Sequence, residues 1–173
     1  MISEPLFSSS EIKFALKEIA TAINFDYKGL DLAVVVILKG SFIFASDLVR
    51  LLESRLTVDF IRVKSYVGIA ATDEPLQYYC EKPLDFFKGK HVLLVEDIVD
   101  KGKTLEFLFK TFEEHKPKTL KVCSLLYKES AFNLIKTIDY KGFKVANDTF
   151  VVGYGMDYDE SLRNLPYLAS LQP

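Results

Sequence analysis

The stretch of residues 91–104 reads His-Val-Leu-Leu-Val-Glu-Asp-Ile-Val-Asp-Lys-Gly-Lys-Thr. Its apolar run, residues 92–95, has no polar alternation, which is typical of a strand buried on both faces of a parallel sheet. Glu96 and Asp97 close the run, and apolar residues at helical spacing begin at Leu105. The stretch therefore predicts a strand, an acidic loop and the N-terminus of a helix, in that order.

The loop and the helix N-terminus suit two different chemical groups. Backbone N–H groups in the first turn of a helix bind phosphate, and Gly102 allows the backbone to approach it closely. Carboxylates only accept hydrogen bonds, so Glu96 and Asp97 suit sugar hydroxyls or a divalent cation rather than a phosphate. A sugar phosphate meets both requirements, although three acids after a strand are also typical of an ordinary solvated loop.

The same stretch ends like a nucleoside-triphosphate P-loop, in Gly102-Lys103-Thr104. The P-loop pattern requires a glycine five positions before Gly102, and Asp97 stands there instead. The P-loop interpretation is therefore excluded at residue 97.

The composition predicts one globular domain spanning residues 1–173, because 49% of the residues are hydrophobic and 27% are charged. The formal net charge of −2 gives no support to extended nucleic-acid binding. The two cysteines lack metal-ligand spacing and are expected to be reduced thiols, and both histidines are expected at the surface. No signal-peptide pattern or membrane-length apolar run is present, so we expect a cytoplasmic protein without a membrane partner.

Strand and helix patterns alternate along the chain. Ser8 and Glu11 form a capping-box pattern before a helix predicted at residues 9–23. Apolar strands are predicted at residues 33–38, 57–66, 119–127 and 149–155. Val58 and Phe60 are expected to point inward, with Ile61 and Val63 as further candidates, and the last strand is expected in the core. This alternation predicts an α/β fold with a mainly parallel central sheet flanked by helices.

Polar residues follow four of the predicted strands, at the end of the sheet where open parallel sheets bind ligands. In chain order they are Lys39, Ser65 with Tyr66, Glu96 with Asp97, and Lys128. Taken singly, a lysine such as Lys128 is more often solvated. Four strands that end in polar residues at one edge predict a ligand site there.

The motif at residues 92–104 closely resembles the phosphoribosyl-pyrophosphate motif of the type I phosphoribosyltransferases, and within them it is most similar to the hypoxanthine-guanine branch. The resemblance runs in five ordered segments from Leu38 to Arg163. It implies the type I phosphoribosyltransferase fold, with a small hood built from segments near both termini. It also implies a mobile loop at about residues 65–80 that closes over the site.

The resemblance further implies roles for individual residues. Phosphoribosyl pyrophosphate would be bound by Lys39, Gly40, Ser65, Tyr66, Glu96, Asp97, Lys101, Gly102, Lys103, Thr104 and Arg163; the purine by Lys128, Phe150, Val151 and Asp157; and a metal ion by Glu96, Asp97 and Asp157. The peptide bond before Lys39 is typically cis in the family, and Phe150 would by composition alone be a core residue. Asp100 is the candidate general base for N7 of the purine, and its other possible role is to cap the following helix. Lys101 departs from the family pattern, in which a threonine or serine contacts the 5′-phosphate.

The activity implied by the resemblance is purine salvage. The 5-phosphoribosyl group would pass from phosphoribosyl pyrophosphate to N9 of a 6-oxopurine, hypoxanthine or guanine, with Mg²⁺ as cofactor. Because the family usually forms dimers or tetramers, a homodimer or homotetramer is expected. The alternative is a non-enzymatic regulator that senses phosphoribosyl pyrophosphate or nucleotides and binds RNA; the negative net charge and the acid at residue 100 argue against it.

Overall fold

A computed structural model describes residues 2–64 and 77–171 of the chain. Two short 3-10 helices, Leu84–Phe87 and Glu129–Asn133, lie among the longer elements. In chain order the longer elements are β1 (Ile2–Phe7), α1 (Ser9–Asp26), β2 (Leu32–Leu38), α2 (Phe42–Val49), β3 (Leu56–Lys64), β4 (Gln77–Cys80), β5 (His91–Val99), α3 (Lys103–Glu113), β6 (Thr119–Lys128), β7 (Tyr140–Val145), β8 (Val151–Val152) and β9 (Leu168–Leu171).

The main sheet has six strands in the order β4-β3-β2-β5-β6-β7. Neighbouring strands from β3 to β7 run parallel, and β4 joins the edge antiparallel to β3. Helices α1 and α2 contribute to the apolar cluster that contains Val34, and α3 contributes to the cluster that contains Val35. Because consecutive strand residues face opposite sides of a sheet, helices cover both faces. The predicted α/β fold with a mainly parallel central sheet is confirmed.

The central strands β2 and β5 are buried on both sides, as their continuous apolar runs predict. Val34, Val35 and Val36 in β2 are fully buried, and so are residues 92–95 in β5. Parallel strands covered by helices on both faces need apolar side chains at every position, which explains the missing alternation. This pair of strands therefore forms the rigid centre from which the loops at the carboxyl edge extend.

The capping box at the start of α1 is present. The backbone N–H of Ser8 donates to Glu11 Oε2 at 2.8 Å, and the backbone N–H of Glu11 donates to Ser8 Oγ at 3.3 Å. The helix continues to Asp26, beyond the predicted end at residue 23, because Tyr27 packs into the core and still donates its N–H to Ile23 O at 2.9 Å.

The prediction that Val58 and Phe60 of strand β3 point inward is wrong, whereas the further candidate Ile61 is buried. Asp59 and Ile61 are buried, whereas Val58 is 37% exposed and Phe60 is 43% exposed. A parallel strand one place from the sheet edge has apolar residues on both faces, and the apolar pattern alone does not tell which face a helix covers. Asp59 is accommodated by an ion pair of 3.2 Å with Lys82.

The prediction of residues 149–155 as the last core strand is also wrong. Only Val151 and Val152 form a strand there, and they belong to a separate three-stranded sheet with the order β1-β9-β8. Positive φ angles at Gly153 (95°) and Gly155 (103°) turn the chain away from an extended course. The last strand of the main sheet is β7. The sheet β1-β9-β8 is the candidate for the expected hood, which stays a prediction together with the single-domain assignment.

His91, expected at the surface, is partly buried at the start of β5. Its Nδ1 lies 2.9 Å from Thr119 Oγ1, and its Nε2 is buried without a hydrogen-bond partner among the described residues. Burial, and secondarily the charge of Lys118, lower the pKa of His91. Cys80 and Cys123 are both free thiols. Of the helices in residues 2–64 and 77–171, none combines the length and apolarity of a membrane span.

Candidate active site

A cavity of about 380 Å³ opens at the carboxyl edge of the main sheet. Residues from the ends of β2, β3, β5 and β6 line it together with the loop that surrounds β8. The lining residues are Leu38, Lys39, Gly40, Arg62, Val63, Asp97, Ile98, Asp100, Lys128, Thr149, Phe150, Val151, Met156, Asp157 and Arg163. Residues that are distant in sequence thus meet at the edge where open parallel sheets bind ligands.

A second cavity of about 270 Å³ lies at the N-terminus of α3 and shares Ile98 and Asp100 with the first. Its lining residues are Glu96, Ile98, Val99, Asp100, Lys101, Gly102, Lys103 and Thr104. Gly102 precedes α3 with a φ of 78°, and a Cβ there would lie 2.8 Å from Ala131 O, so a glycine is required on both grounds. The free N–H groups of this helix start, together with Lys101 and Lys103, favour an anion.

The loop after β2 packs directly against the acids of β5. A Cβ at Gly40 would overlap the Asp97 carboxylate, so the close approach of the two loops depends on the absence of a side chain. The peptide bond between Leu38 and Lys39 is cis. Ser65 and Tyr66, also expected at this site, lie outside the described residues.

Burial at the sheet edge disfavours charge on the paired acids. Burial, and then the neighbouring Asp97, raise the pKa of Glu96 well above its usual range. Burial raises the pKa of Asp97 to about 6, against the opposing effect of its backbone hydrogen bonds and of the Arg163 guanidinium. The ionised form of two adjacent buried carboxyl groups is stabilised by a nearby cation or by groups that donate hydrogen bonds to them. The pair therefore suits hydroxyl groups or a cation brought by a ligand.

Lys128 and Asp100 form an ion pair inside the larger cavity, with Nζ 3.1 Å from Oδ1. The side chain of Lys128 is only 10% exposed, whereas that of Asp100 is 50% exposed. Asp100 does not occupy the capping position of α3, because the N-cap residue of that helix is Gly102. Instead, Ser130 Oγ donates to the backbone carbonyl of Asp100 at 3.0 Å, which fixes the loop.

Phe150 is not in the core, contrary to what composition alone predicts. It is 51% exposed, lines the larger cavity, and meets Tyr158 edge-on with ring centroids 6.0 Å apart. The backbone carbonyl of Phe150 accepts from Leu171 N–H at 3.0 Å, and the adjacent Val151 is buried in β8. An aromatic face held at the rim of a cavity is suited to stacking on a flat ligand.

Arg163 and Lys39 place two cations at one side of the cavity. Arg163 Nη1 donates to Gly155 O at 2.8 Å, and its Nη2 lies 2.8 Å from Asp157 Oδ1. Lys39 Nζ donates to Glu160 Oε1 at 2.7 Å. Sequence reasoning missed Glu160, although it lies within the segment of the resemblance, because its partner Lys39 is far away in the chain.

The acids do not form a ready-made metal cage. In the part of the chain that the structure describes, no three acidic, histidine or cysteine side chains converge closely enough to hold a metal ion. The assignment of a metal ion to Glu96, Asp97 and Asp157 stays a prediction. Mg²⁺ usually keeps several waters and binds one or two carboxylates together with substrate phosphates. The arrangement fits an ion that arrives with a diphosphate ligand.

Comparisons with known proteins agree with this geometry. The phosphoribosyl transferase domain model matches residues 4–159. The chain is 39% identical to hypoxanthine-guanine phosphoribosyltransferase of Streptococcus pneumoniae, over 99% of this chain and 94% of that protein.

Solved structures show the same likeness. A hypoxanthine-guanine phosphoribosyltransferase from Bacillus anthracis superposes with a TM-score of 0.90 at 40% identity, covering 99% of this chain and 100% of that one. A variant of the Trypanosoma cruzi hypoxanthine phosphoribosyltransferase complexed with the product IMP superposes with a TM-score of 0.88 at 33% identity, covering 99% and 91% of the two chains. Because its sequence and structure match over nearly the whole chain, this protein belongs to the phosphoribosyltransferase family, in its hypoxanthine-guanine branch.

Proposed function

We propose that this enzyme transfers the 5-phosphoribosyl group from phosphoribosyl pyrophosphate to N9 of hypoxanthine, and also of guanine, in purine salvage. The observation that carries the proposal is the pair of adjoining cavities that share Asp100 and Ile98. One has an aromatic face and a buried lysine, and the other has the N-terminus of α3. A base and a phosphate on one nucleotide need two such neighbouring compartments.

The sugar phosphate is assigned to the smaller cavity. Gly102, Lys103 and Thr104 at the start of α3 hold the 5′-phosphate through backbone N–H groups, with Lys101 adding positive charge. Glu96 and Asp97 face the ribose hydroxyls, because carboxylates accept hydrogen bonds from such groups.

The leaving pyrophosphate is assigned to the cationic side of the larger cavity. As the bond from the sugar to pyrophosphate breaks, negative charge develops on the leaving group, and Lys39 and Arg163 stabilise it. Gly40, whose missing side chain lets this loop lie against Asp97, brings its backbone to the same side of the cavity. Asp97 and Asp157 are the residues that would contribute to holding Mg²⁺. When bound with the diphosphate, Mg²⁺ supplies further neutralisation of the leaving group.

The purine is assigned to the surface formed by Phe150, Val151 and Lys128. Phe150 stacks on the ring, and Val151 contacts it through the backbone. Lys128 donates to the 6-oxo group, and Asp100 takes the proton from N7 as N9 attacks the sugar. O6 and N7 are neighbours on one edge of the purine, which agrees with a donor and an acceptor that are themselves paired.

A turnover assay tests the proposal. The protein, hypoxanthine, phosphoribosyl pyrophosphate and Mg²⁺ are mixed, and inosine monophosphate is separated and quantified; guanine replaces hypoxanthine in a second arm. We expect product in both arms, and little in a matched sample of Asp100→Asn. Absence of product with the unmodified protein in every condition would contradict the proposal and favour a ligand-sensing regulator.

We further propose that the enzyme is a cytoplasmic homodimer or homotetramer. In support, Val58 and Phe60 on β3 lie beside Val34 and Val36 of β2, on the same face of the sheet. Helices α1 and α2 cover that face at β2, whereas at β3 Val58 and Phe60 stay exposed. An uncovered apolar strip of this kind is typical of a subunit contact. Light scattering on a size-exclusion column measures the mass; Phe60→Glu should shift it towards the monomer, whereas a monomeric unmodified protein would contradict the assembly.

A further inference from the structure

Glu160 occupies the place where the two pyrophosphate-side cations meet. Its Oε1 and Oε2 accept from Lys39 Nζ at 2.7 and 2.9 Å. Its Oε2 also lies 3.4 Å from Arg163 Nη2. One carboxylate thus bridges two cations that line the larger cavity from distant parts of the chain.

The backbone that carries Glu160 is held in an uncommon conformation. Asp159, Glu160 and Leu162 have φ angles of 48°, 59° and 74°, which residues other than glycine rarely adopt. Tyr158 and Ser161 close the turn with two backbone hydrogen bonds, of 3.1 and 3.0 Å, and the Glu160 N–H donates to Asp157 Oδ2 at 2.9 Å. Strained backbone kept in place by its own hydrogen bonds is characteristic of ligand clamps and switch segments.

We infer that Glu160 acts as an internal competitor of pyrophosphate, holding Lys39 and Arg163 when the diphosphate is absent and giving them up when it binds. The inference rests on the proposed function, since it deepens the assignment of those two cations to the leaving group. A pyrophosphate carries more negative charge than one carboxylate and displaces it. When the reaction ends, the Glu160 carboxylate returns to Lys39 and Arg163 and thereby speeds the release of pyrophosphate.

Pyrophosphate can displace Glu160 from Lys39 because both side chains of this ion pair are exposed and the pair is therefore weak. The side chains of Glu160 and Lys39 are 66% and 44% accessible, so the ion pair is screened by water and is easily exchanged for a stronger anion. Arg163 keeps its bonds to Gly155 and Asp157 throughout, so the guanidinium stays in position while Glu160 leaves. Glu160 is therefore a residue that sets affinity, and it takes no part in breaking the bond between the sugar and pyrophosphate.

Binding of inorganic pyrophosphate with Mg²⁺, measured by titration calorimetry, tests the inference without turnover. Glu160→Gln removes the charge and keeps the shape, and we expect pyrophosphate to bind about two- to tenfold more tightly, as loss of one or two exposed ion pairs implies. The gain should shrink at high salt. Affinity for inosine monophosphate, whose phosphate is assigned to α3, should not change.

The matched control is Asp159→Asn, which removes the same charge one residue earlier. In the described part of the chain no ion pair is made by Asp159, and asparagine tolerates its positive φ. We expect no tightening in this variant. Equal tightening in both variants would mean that only the general charge of the loop matters, and would overturn the role of Glu160.

Steady-state kinetics give a second readout. In Glu160→Gln the KM for phosphoribosyl pyrophosphate should fall, the KM for hypoxanthine should stay, and inhibition by pyrophosphate should strengthen. If Glu160 only supports the cations, pyrophosphate binding should instead weaken, which overturns the inference. Should the Gln variant not fold, Glu160→Asp shortens the carboxylate's reach and must show the same direction of change.

These results separate the inference from the proposed function. Turnover and pyrophosphate binding by the unmodified protein, with no change in Glu160→Gln, overturn the inference alone. Neither turnover nor pyrophosphate binding in the unmodified protein overturns both.

Discussion

Lys128 Nζ lies 3.1 Å from Asp100 Oδ1, so the residue assigned to the 6-oxo group and the residue assigned to N7 form one ion pair. The lysine is nearly buried and the acid is half-exposed. A buried ammonium needs a partner, and the pair supplies one before any purine binds. When a 6-oxopurine enters, its O6 gives Lys128 a second acceptor while Asp100 meets the neighbouring N7–H.

Asp100→Asn should lower the rate of the chemical step by about 10²–10⁴, the usual range for loss of a general base. The amide oxygen still accepts from Lys128, so ligand affinity should change little. Single-turnover kinetics and calorimetry measure the two quantities separately. Asp31→Asn, at an exposed acid before β2 and thus at the opposite end of the sheet, is the control, and an unchanged chemical rate in Asp100→Asn would refute the assignment.

Adenine should be a very poor substrate. Protonated Lys128 has no acceptor, and adenine presents an amino group at position 6, so two donors would face each other in a desolvated site. Such mismatches discriminate by about 10⁴–10⁵ in specificity. Rates of adenosine and inosine monophosphate formation give the ratio; Lys128→Ala should lose activity on hypoxanthine and narrow the ratio. Efficient use of adenine by the unmodified protein is the contrary outcome.

Gly40→Ala should impair function more than stability. The new Cβ overlaps the Asp97 carboxylate, the movable end of a side chain, so Asp97 shifts and the backbone need not. A small displacement of a positioning group can cost up to about 10²-fold in rate, and we expect a loss of tenfold or more in kcat/KM for phosphoribosyl pyrophosphate.

The control is Gly89→Ala, where a Cβ meets nothing within 4 Å but φ is +69°. That strain should lower the unfolding free energy by about 1–2 kcal/mol while leaving the activity of the folded enzyme intact. Urea unfolding and kinetics on both variants should therefore show opposite patterns.

Lys101→Thr should change affinity for phosphoribosyl pyrophosphate only a few-fold. Lys101 is exposed and lines the phosphate cavity, so it adds a screened charge to a site made mainly by backbone N–H groups. Affinity for the free base should stay as it is, and Lys136→Thr serves as an exposed control. If Lys101→Thr changes neither the affinity for phosphoribosyl pyrophosphate nor that for the free base, Lys101 is only solvated and does not contact the phosphate.

The stability that His91 contributes should be lost as the pH drops below about 6.5, the pKa of histidine in an unfolded chain, whereas Glu96 and Asp97, whose pKa burial raises, contribute in the opposite direction. Burial, and then Lys118, lower the pKa of His91, so the folded state binds fewer protons than the unfolded state in this window. Below about pH 6.5, His91→Asn should therefore lose less unfolding free energy in urea than the unmodified protein does over the same pH change, and Lys118→Gln should show a smaller difference of the same sign. Parallel curves for the unmodified protein and His91→Asn would show that His91 does not contribute.

The central motif could be predicted because its strand, loop and helix start are contiguous in sequence. The roles of the site residues outside this motif could be predicted only from the resemblance to the phosphoribosyltransferases. What the sequence could not show were pairings between distant residues: Glu160 reaches Lys39 across most of the chain. Strand β7 was missed since only its two end residues are buried, which leaves no apolar alternation. The facing of β3 depends on which side a helix covers, and a strand with apolar residues on both faces does not encode that.

The pairing in the three-stranded sheet also predicts an order of events in folding. Strand β1 pairs with β9, so Ile2 lies opposite Leu171, and the N–H of Leu171 holds the carbonyl of Phe150. Contacts of such long sequence separation carry the largest loop-closure cost and tend to form late. The main sheet needs neither β1 nor β9 and can assemble while the chain is being synthesised. A newly made molecule would therefore possess its phosphate compartment before its aromatic platform, and would be unable to select a base until both outer strands had met.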